Sequence, residues 1–194
     1  GLRDPQYRDY TFKLASAFLI TAVLGLAAKA LGAELPETVT PIGIALIVGG
    51  IAILLVERHV AKLPPRETVT WAVVVAVGIA QVVAGVFPGT SRSAAAIFAA
   101  MLLGLSARPR AAEFAFLVGI PTMFAATGYA LMETWLSPGA AASEPWLELG
   151  IAFVVSAVTG FAAVKWLLHY VSGNSFTPFA WYRIGLGLFL LTAI

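Results

Sequence analysis

Residues 70–105 read TWAVVVAVGIAQVVAGVFPGTSRSAAAIFAAMLLGL, an almost wholly apolar run that is interrupted once, at Pro88-Gly89. Proline removes a helix hydrogen bond and glycine permits dihedrals that other residues avoid, so a helix is predicted to stop at this pair. The run therefore predicts two helical halves, residues 70–87 and 91–105. As a helix, the second half would rise only about 22 Å, less than the roughly 30 Å of a bilayer core.

Apolar runs of membrane-spanning length lie on both sides of this broken segment. About 20 consecutive apolar residues cross a bilayer as a helix. Four spans are predicted in this way, with a shorter fifth, at residues 11–31, 41–56, 111–131, 147–168 and 179–194. We therefore predict an all-α integral membrane protein, a single membrane domain with about five transmembrane helices plus one re-entrant helix-turn-helix.

The composition agrees with this class of protein. Hydrophobic residues make up 60% of the chain and charged residues 11%, against about 25% charged residues in soluble domains. The net charge of +2 does not indicate a nucleic-acid partner. Cysteine is absent, which excludes disulfides and thiol nucleophiles, and two histidines are too few for a histidine-rich metal site.

The basic residues predict an orientation. Of the 12 Lys and Arg residues, all except Lys29 and Arg92 precede or begin the first span, follow the second span or the broken segment, or flank the last connection. By the positive-inside rule this side is cytoplasmic. Both ends of the broken segment carry such loops, so a single span is excluded, and two full spans or one re-entrant hairpin remain. We favour the re-entrant hairpin, with its tip deep in the membrane.

Small residues predict close helix packing. Gly43 and Gly50 lie near Ile47 in the second span, and alanines are frequent after the break. Small side chains let helix backbones approach each other in a membrane, although alanine is also simply a common helix former.

Arg92 is the most informative single residue. It is interpreted as the only Lys or Arg inside an apolar segment away from an end, and a charge at bilayer depth costs about 2.5–3.5 kcal/mol even on the lenient insertion scale. An unpaired guanidinium there needs an anion. That anion must come from another segment, from a segment outside this sequence, or from a bound ligand.

Three hydroxyls surround this cation, because Thr90, Ser91 and Ser93 flank Arg92 directly after Pro-Gly. A helix N-terminus offers free N–H donors to an anion, and arginine adds a planar fork that matches phosphate oxygens. The tetrad predicts a phosphate or pyrophosphate site. The alternative, a simple helix N-cap, accounts for Thr90 or Ser91 but not for Arg92. Gln81, in the first half, is expected to hydrogen-bond across the hairpin or between helices.

These residues resemble the undecaprenyl-pyrophosphate phosphatase family, also called bacitracin-resistance proteins. The resemblance is carried by residues 81–93, by Glu113-Phe114-Ala115-Phe116-Leu117 with Ile120-Pro121-Thr122-Met123, and by Phe176-Thr177-Pro178-Phe179-Ala180 with Tyr182-Arg183. It extends over essentially the whole chain. It implies two inverted repeats, each with a re-entrant hairpin, of which this chain holds the second hairpin and the larger part of the fold.

Two departures from the family pattern matter. Ala94 stands where the family usually has glycine. The first family signature, which supplies two glutamates, serines and a histidine, has no counterpart in these residues. The charged opening at Gly1 lacks the apolar core of a signal peptide, and we expect residues upstream of it, removal of a Met being the alternative.

The resemblance implies hydrolysis of undecaprenyl pyrophosphate to the monophosphate in the bacterial plasma membrane, which recycles a cell-wall lipid carrier. It implies Arg92 as a charge clamp, Ser91 and Ser93 as phosphate ligands or nucleophile, and Gly89, Thr90 and Gln81 as substrate-binding residues. A divalent cation, Mg²⁺ or Ca²⁺, is also implied. Because no base is evident at membrane depth, a further N-terminal segment or a second chain is expected to complete the site. The rival reading is a lipid or anion transporter without hydrolysis.

Overall fold

The computed structural model describes residues 5–31, 39–136 and 145–192, and within these ranges the regular structure is entirely helical. The helices are α1 (Pro5–Ala30), α2 (Val39–Val60), α3 (Trp71–Val86), α4 (Arg92–Leu102), α5 (Arg108–Leu136), α6 (Trp146–Gly173) and α7 (Thr177–Thr192). The predicted all-α class is confirmed.

Four of the described helices, α1, α2, α5 and α6, are long and apolar enough to cross a membrane. They correspond to the four longer predicted spans, and with them the chain is a multi-pass membrane protein. Helix α2 extends beyond its predicted end to Val60, which brings Glu57 into the helix. The fifth predicted span is α7, which begins at Thr177 and has 16 residues; residues 193–194 lie outside the described ranges.

Helices α3 and α4, with the turn between them, form a hairpin from the broken segment. They have 16 and 11 residues and rise about 24 Å and about 16 Å, both less than the roughly 30 Å of a bilayer core. Thr70 caps the start of α3 by accepting a hydrogen bond from the N–H of Val73 at 3.4 Å. Helix α4 ends at Leu102, three residues before the predicted end at residue 105.

The two open ends of the hairpin are tied to each other. The N–H of Arg66 donates to the Ser106 hydroxyl at 2.8 Å, and that hydroxyl donates to the carbonyl of Pro64 at 2.7 Å. The N–H of Ala107 donates to the Arg66 carbonyl at 3.0 Å. The hairpin therefore enters and leaves at one end of the molecule, which both a re-entrant hairpin and two full spans require. The short lengths of α3 and α4 favour the re-entrant hairpin.

Helices α2 and α7 pack backbone against backbone. A Cβ on Gly187 would lie 2.7 Å from the Gly43 carbonyl oxygen, and one on Gly50 would lie 2.8 Å from the carbonyl oxygen of Ala180. Because larger side chains would hold the helices apart, these glycines determine how closely α7 lies on α2. The predicted close packing is confirmed for the glycine face of α2.

Helix α3 is supported on several sides. The Thr21 hydroxyl of α1 is shared between the Ala17 carbonyl of its own helix at 2.9 Å and the Gly78 carbonyl at 3.2 Å. Ile20 occupies the space that a side chain at position 78 would need. Val73 and Val77 of α3 are fully buried, as is Phe114 of α5. This apolar packing holds α3 in place, and the position of α3 determines where the turn at its end lies.

Candidate active site

A tight turn over residues 87–90 joins α3 to α4. The N–H of Thr90 donates to the Phe87 carbonyl at 3.2 Å, and Gly89 has a φ of +83°. Pro88 in the second position and Gly89 in the third are the residues that a type II turn favours. A Cβ on Gly89 would also lie 2.7 Å from the carbonyl oxygen of Ile42 in α2. Both the dihedral and the available space therefore require glycine.

The turn leads directly into the N-terminus of α4. The Ser91 hydroxyl accepts a hydrogen bond from the N–H of Ala94 at 3.2 Å, so Ser91 is the N-cap. The Ser91 and Ser93 hydroxyl oxygens lie 3.3 Å apart. The N-cap interpretation is therefore right for Ser91, but it leaves the backbone N–H groups of Arg92 and Ser93 without acceptors in the helix, since the first N–H groups of a helix have none. The two backbone N–H groups and the hydroxyls of Ser91 and Ser93 therefore lie together at the start of α4.

Arg92 extends from this helix start toward α5. Its Nη1 lies 3.2 Å from the sulfur of Met123, and its Nη2 passes 3.9 Å from the position of a Cβ on Gly85. Met123 lies near the middle of α5, a helix long enough to cross a membrane. The guanidinium therefore lies level with the middle of α5, away from both ends of that helix.

No anion from another described segment meets Arg92. Among residues 5–31, 39–136 and 145–192 it forms no ion pair, and a thioether is only a weak acceptor. The side chain is exposed at the protein surface, so a ligand can reach it. Of the three sources predicted for the anion, the described structure leaves a bound ligand or a segment outside these residues.

Gln81 lies on α3 between the base of the hairpin and the turn. Its side chain is only 3% exposed, and neither its amide nitrogen nor its amide oxygen has a hydrogen-bond partner among the described residues. The expected hydrogen bond across the hairpin or between helices is therefore wrong for the described part of the chain. No hydrogen bond joins Gln81 to the tetrad among the described residues.

The turn lies beside the first helical turn of α2, because its contact residue Ile42 is the fourth residue of that helix. The basic loop follows the other end of α2, after Arg58. The two ends of α2 are about 33 Å apart. The turn is therefore far from the end of the bundle that carries the basic loops, and close to the opposite end.

Arg183 of α7 is a contact of the turn that the sequence interpretation missed. Its Nη2 donates to the carbonyl oxygen of Gly89 at 2.9 Å. Arg92 is therefore not the only cation inside an apolar helix, since Arg183 is the seventh residue of α7. The signal was present in the sequence as a second arginine within an apolar run, but the predicted span began later and placed Arg183 near a loop.

Glu57 is a second residue that was missed, a buried carboxylate near the end of α2 that precedes the basic loop. It is 5% exposed and accepts hydrogen bonds from Arg108 and from the N–H of Phe176. Its position is about 22 Å further along α2 than that of Ile42, so it cannot act as a base at the turn. Its role is to join α2, α5 and the connection before α7.

The described residues do not form a metal site. Within those ranges no group of three or more His, Cys, Asp and Glu side chains could hold a metal ion. The hydroxyls at the turn are not accompanied by a carboxylate cluster, which Mg²⁺ and Ca²⁺ sites normally use. The implied divalent cation therefore has no ligand set in this part of the structure.

The fold and the turn together define a multi-pass helical membrane protein in which a short helix pair carries hydroxyls and a cation at its tip. The chain belongs to the bacitracin resistance protein BacA family, whose sequence profile matches residues 2–189. The resemblance inferred from the motifs is thereby confirmed.

Several relatives share more than half of their aligned residues with this chain. A protein of Xylella fastidiosa (strain Temecula1) named undecaprenyl-diphosphatase is 62% identical over 192 residues, which is 99% of this chain and 73% of the relative. A protein of the same name from Rhizobium johnstonii is 61% identical over 98% of this chain and 72% of its own length. A third, from Xanthomonas campestris pv. campestris (strain 8004), is 56% identical.

Proposed function

We propose that this protein hydrolyses undecaprenyl pyrophosphate to undecaprenyl phosphate and inorganic phosphate, and so returns a lipid carrier to cell-wall synthesis. The observation that carries the proposal is the Arg92 guanidinium, which has no ion pair among the described residues and belongs to a helix N-terminus that also carries the hydroxyls of Ser91 and Ser93. The Xylella fastidiosa relative named undecaprenyl-diphosphatase is 62% identical to this chain. The ligand that suits such a site is a phosphate ester anchored in the membrane.

The chemistry asked of the site is phosphoryl transfer. The bridging P–O bond breaks, undecaprenyl phosphate leaves, and water supplies the hydroxyl group that completes inorganic phosphate. This reaction depends mainly on positioning and on stabilising charge. In the proposal, Arg92 pairs with the phosphate oxygens through its planar fork, and the free N–H groups at the start of α4 bind the same group.

The hydroxyl groups have narrower roles in this proposal. Ser91 and Ser93 either bond phosphate oxygens or include the nucleophile, while Gly89 and Thr90 shape the turn that brings the backbone close to the phosphate. The side chain of Gln81 is buried, so in this proposal it reaches the substrate only after the surrounding structure rearranges. If a serine attacks, the resulting phosphoserine is hydrolysed in a second step.

A general base and a metal complete the proposal. The described residues place no carboxylate or imidazole group at the turn, and the matched region covers 73% of the length of the Xylella relative. We propose that a further segment or a second chain supplies the base. A divalent cation belongs to the same proposal, with ligands outside the described residues.

The setting proposed for this reaction is the bacterial plasma membrane. The tip of the hairpin lies near the end of α2 that is remote from the basic loops. By the positive-inside rule those loops face the cytoplasm. The site would therefore receive its substrate from the outer side, with the isoprenoid chain between helices.

The decisive experiment is phosphate release from undecaprenyl pyrophosphate by the purified protein in detergent micelles. Arg92→Ala and Arg92→Lys should lower turnover by a factor of about 100 or more, because removing one preorganised donor costs about 10²–10³. Lys62→Ala, in the exposed basic loop, is the matched control. Release of phosphate that is unchanged in both Arg92 variants would reject the clamp. Movement of the lipid across vesicles without hydrolysis would instead favour the transporter, which the names of the relatives do not support.

A further inference from the structure

Arg183 connects α7 to the tip of the hairpin. Its Nη2 donates to the Gly89 carbonyl oxygen at 2.9 Å, although the two residues are 94 positions apart in the chain. Gly89 is the residue of the turn with the greatest freedom, and its φ of +83° is already unusual. A hydrogen bond to its carbonyl fixes its remaining dihedral, ψ, and with it the direction in which the chain enters α4.

A notch in α2 holds this guanidinium in place. A Cβ on Gly49 would lie 2.6 Å from Nη2 of Arg183 and 3.3 Å from its Nε. Glycine at position 49 is therefore what allows the guanidinium to lie flat against α2 and reach the turn. A Cβ on Gly89 would likewise lie within 3.2 Å of atoms of Ile42 and Ala45 on the same helix, so both partners of the hydrogen bond lie beside α2.

Packing stability does not explain the choice of arginine here. The Nε of Arg183 is buried and has no hydrogen-bond partner among the described residues. A buried donor without a partner lowers stability, because its lost hydration is not replaced. An apolar side chain would cover α2 without that cost. What an apolar side chain at position 183 could not supply is the hydrogen bond to the Gly89 carbonyl in the turn.

We infer that Arg183 is a positioning residue for the proposed hydrolysis, an inference that rests on that proposed function. It does not need to touch the substrate. By holding the Gly89 carbonyl against α2, it sets the places of Thr90, Ser91 and Arg92 relative to a bound pyrophosphate. Displacement of reacting groups by about 1 Å can cost about 100-fold in rate, so the turn must be held as firmly as the helices.

Two substitutions test this from opposite sides. Arg183→Met removes the donor and keeps an unbranched chain. Gly49→Ala keeps Arg183 and its charge but pushes the guanidinium away, because the atom in its path is the end of a flexible side chain. Gly185→Ala is the matched control, since a Cβ there meets nothing within 4 Å. All three variants should fold.

The measurements are steady-state hydrolysis of undecaprenyl pyrophosphate and amide hydrogen exchange in the segment 87–93. Arg183→Met and Gly49→Ala should each lower kcat by about 10- to 100-fold, with KM changed by less than about 3-fold, since the groups that bind the charge remain. The double variant should be no slower than Arg183→Met alone, because both changes break one contact. Exchange in 87–93 should rise in both single variants and remain unchanged in Gly185→Ala.

Other outcomes overturn the inference. Additive losses in the double variant, unchanged kcat in either single variant, or a loss confined to KM would mean that Arg183 only packs or only attracts charge. If the wild-type protein releases no phosphate, the proposed function fails, and hydrogen exchange alone decides whether Arg183 holds the turn. Unchanged exchange in that case rejects the positioning role as well.

Discussion

The carboxylate of Glu57 binds the guanidinium of Arg108 through two donors, with Nη2 at 2.6 Å from Oε2 and Nε at 3.0 Å from Oε1. The same Oε1 accepts the N–H of Phe176 at 2.9 Å. This one carboxylate therefore joins the end of α2, the start of α5 and the connection before α7. It also secures the end of the bundle from which the hairpin rises.

Loss of this carboxylate should destabilise the protein strongly. Glu57→Ala leaves the Arg108 guanidinium and the Phe176 N–H without their partner, and breaking a buried ion pair costs about 3–5 kcal/mol. We expect about 3 kcal/mol, because the Arg108 side chain retains 28% exposure. Unfolding in detergent, followed by circular dichroism, measures the change.

A surface ion pair provides the control for this prediction. Glu67 and Arg110 are 66% and 53% exposed and lie 3.3 Å apart. Exposed pairs contribute about 0–1 kcal/mol, so Glu67→Ala should leave stability nearly unchanged. Equal effects of Glu57→Ala and Glu67→Ala would show that the three-way contact does not hold the bundle together.

Gly89→Ala should lose both the fold of the turn and activity. The added Cβ would meet the Ile42 carbonyl at 2.7 Å at a φ of +83°. Gly104→Ala separates the two causes, since Gly104 also has a positive φ, +110°, but has nothing within 4 Å of its Cβ position. Backbone strain alone costs of order 1–3 kcal/mol. We expect Gly104→Ala to lower stability without affecting phosphate release, and a similar loss of activity in both variants would contradict the steric argument.

Sequence reasoning was most successful where the cause is local. Pro88 and Gly89 end a helix whatever surrounds them, and Ser91 caps the next one, so the break and the N-cap follow from neighbouring residues alone. Basic residues at both ends of the segment also predicted a hairpin that returns to the same side. These arguments need no knowledge of tertiary packing.

The contacts of Arg183 and Glu57 could not be predicted in that way. Arg183 reaches Gly89 only because α7 lies close against the glycine face of α2, and Glu57 is buried only because α5 and the last connection close over it. For Gln81 the prediction erred in the other direction. Its polar side chain predicted a hydrogen bond to another helix, and the described helices provide no partner for it. Each case depends on which helices become neighbours.

The glycine face of α2 offers a prediction about this packing. Gly187→Ala places a Cβ 2.7 Å from the Gly43 carbonyl and from a side-chain carbon of Ile47, so α7 must move away from α2. Overpacking of this kind costs about 1–3 kcal/mol, and the shift should also lengthen the contact between Arg183 and Gly89. Gly185→Ala, on the open face of α7, should leave thermal stability unchanged. Equal melting temperatures for the two variants would mean that α2 and α7 are not closely packed in the membrane protein.

Ser91 and Ser93 can be told apart because only one of them caps α4. Ser91→Ala removes the acceptor for the Ala94 N–H, which lies 3.2 Å away, and should lower stability by about 1 kcal/mol. Ser93→Ala removes a hydroxyl that contacts only Ser91 among its described hydrogen-bond partners, so stability should be unchanged. Thermal unfolding and phosphate release measured on both variants separate the two roles.

If one serine is the nucleophile, its alanine variant loses turnover by a factor of about 10³ or more, since removal of a serine nucleophile leaves only the catalysis due to binding and charge stabilisation. If both serines only bond phosphate oxygens, each variant loses about 1.5–3 kcal/mol of transition-state stabilisation, the contribution of a hydrogen bond to a charged group. A Ser91 variant of full stability would show that its hydroxyl does not cap the helix, and its cap assignment would then be wrong.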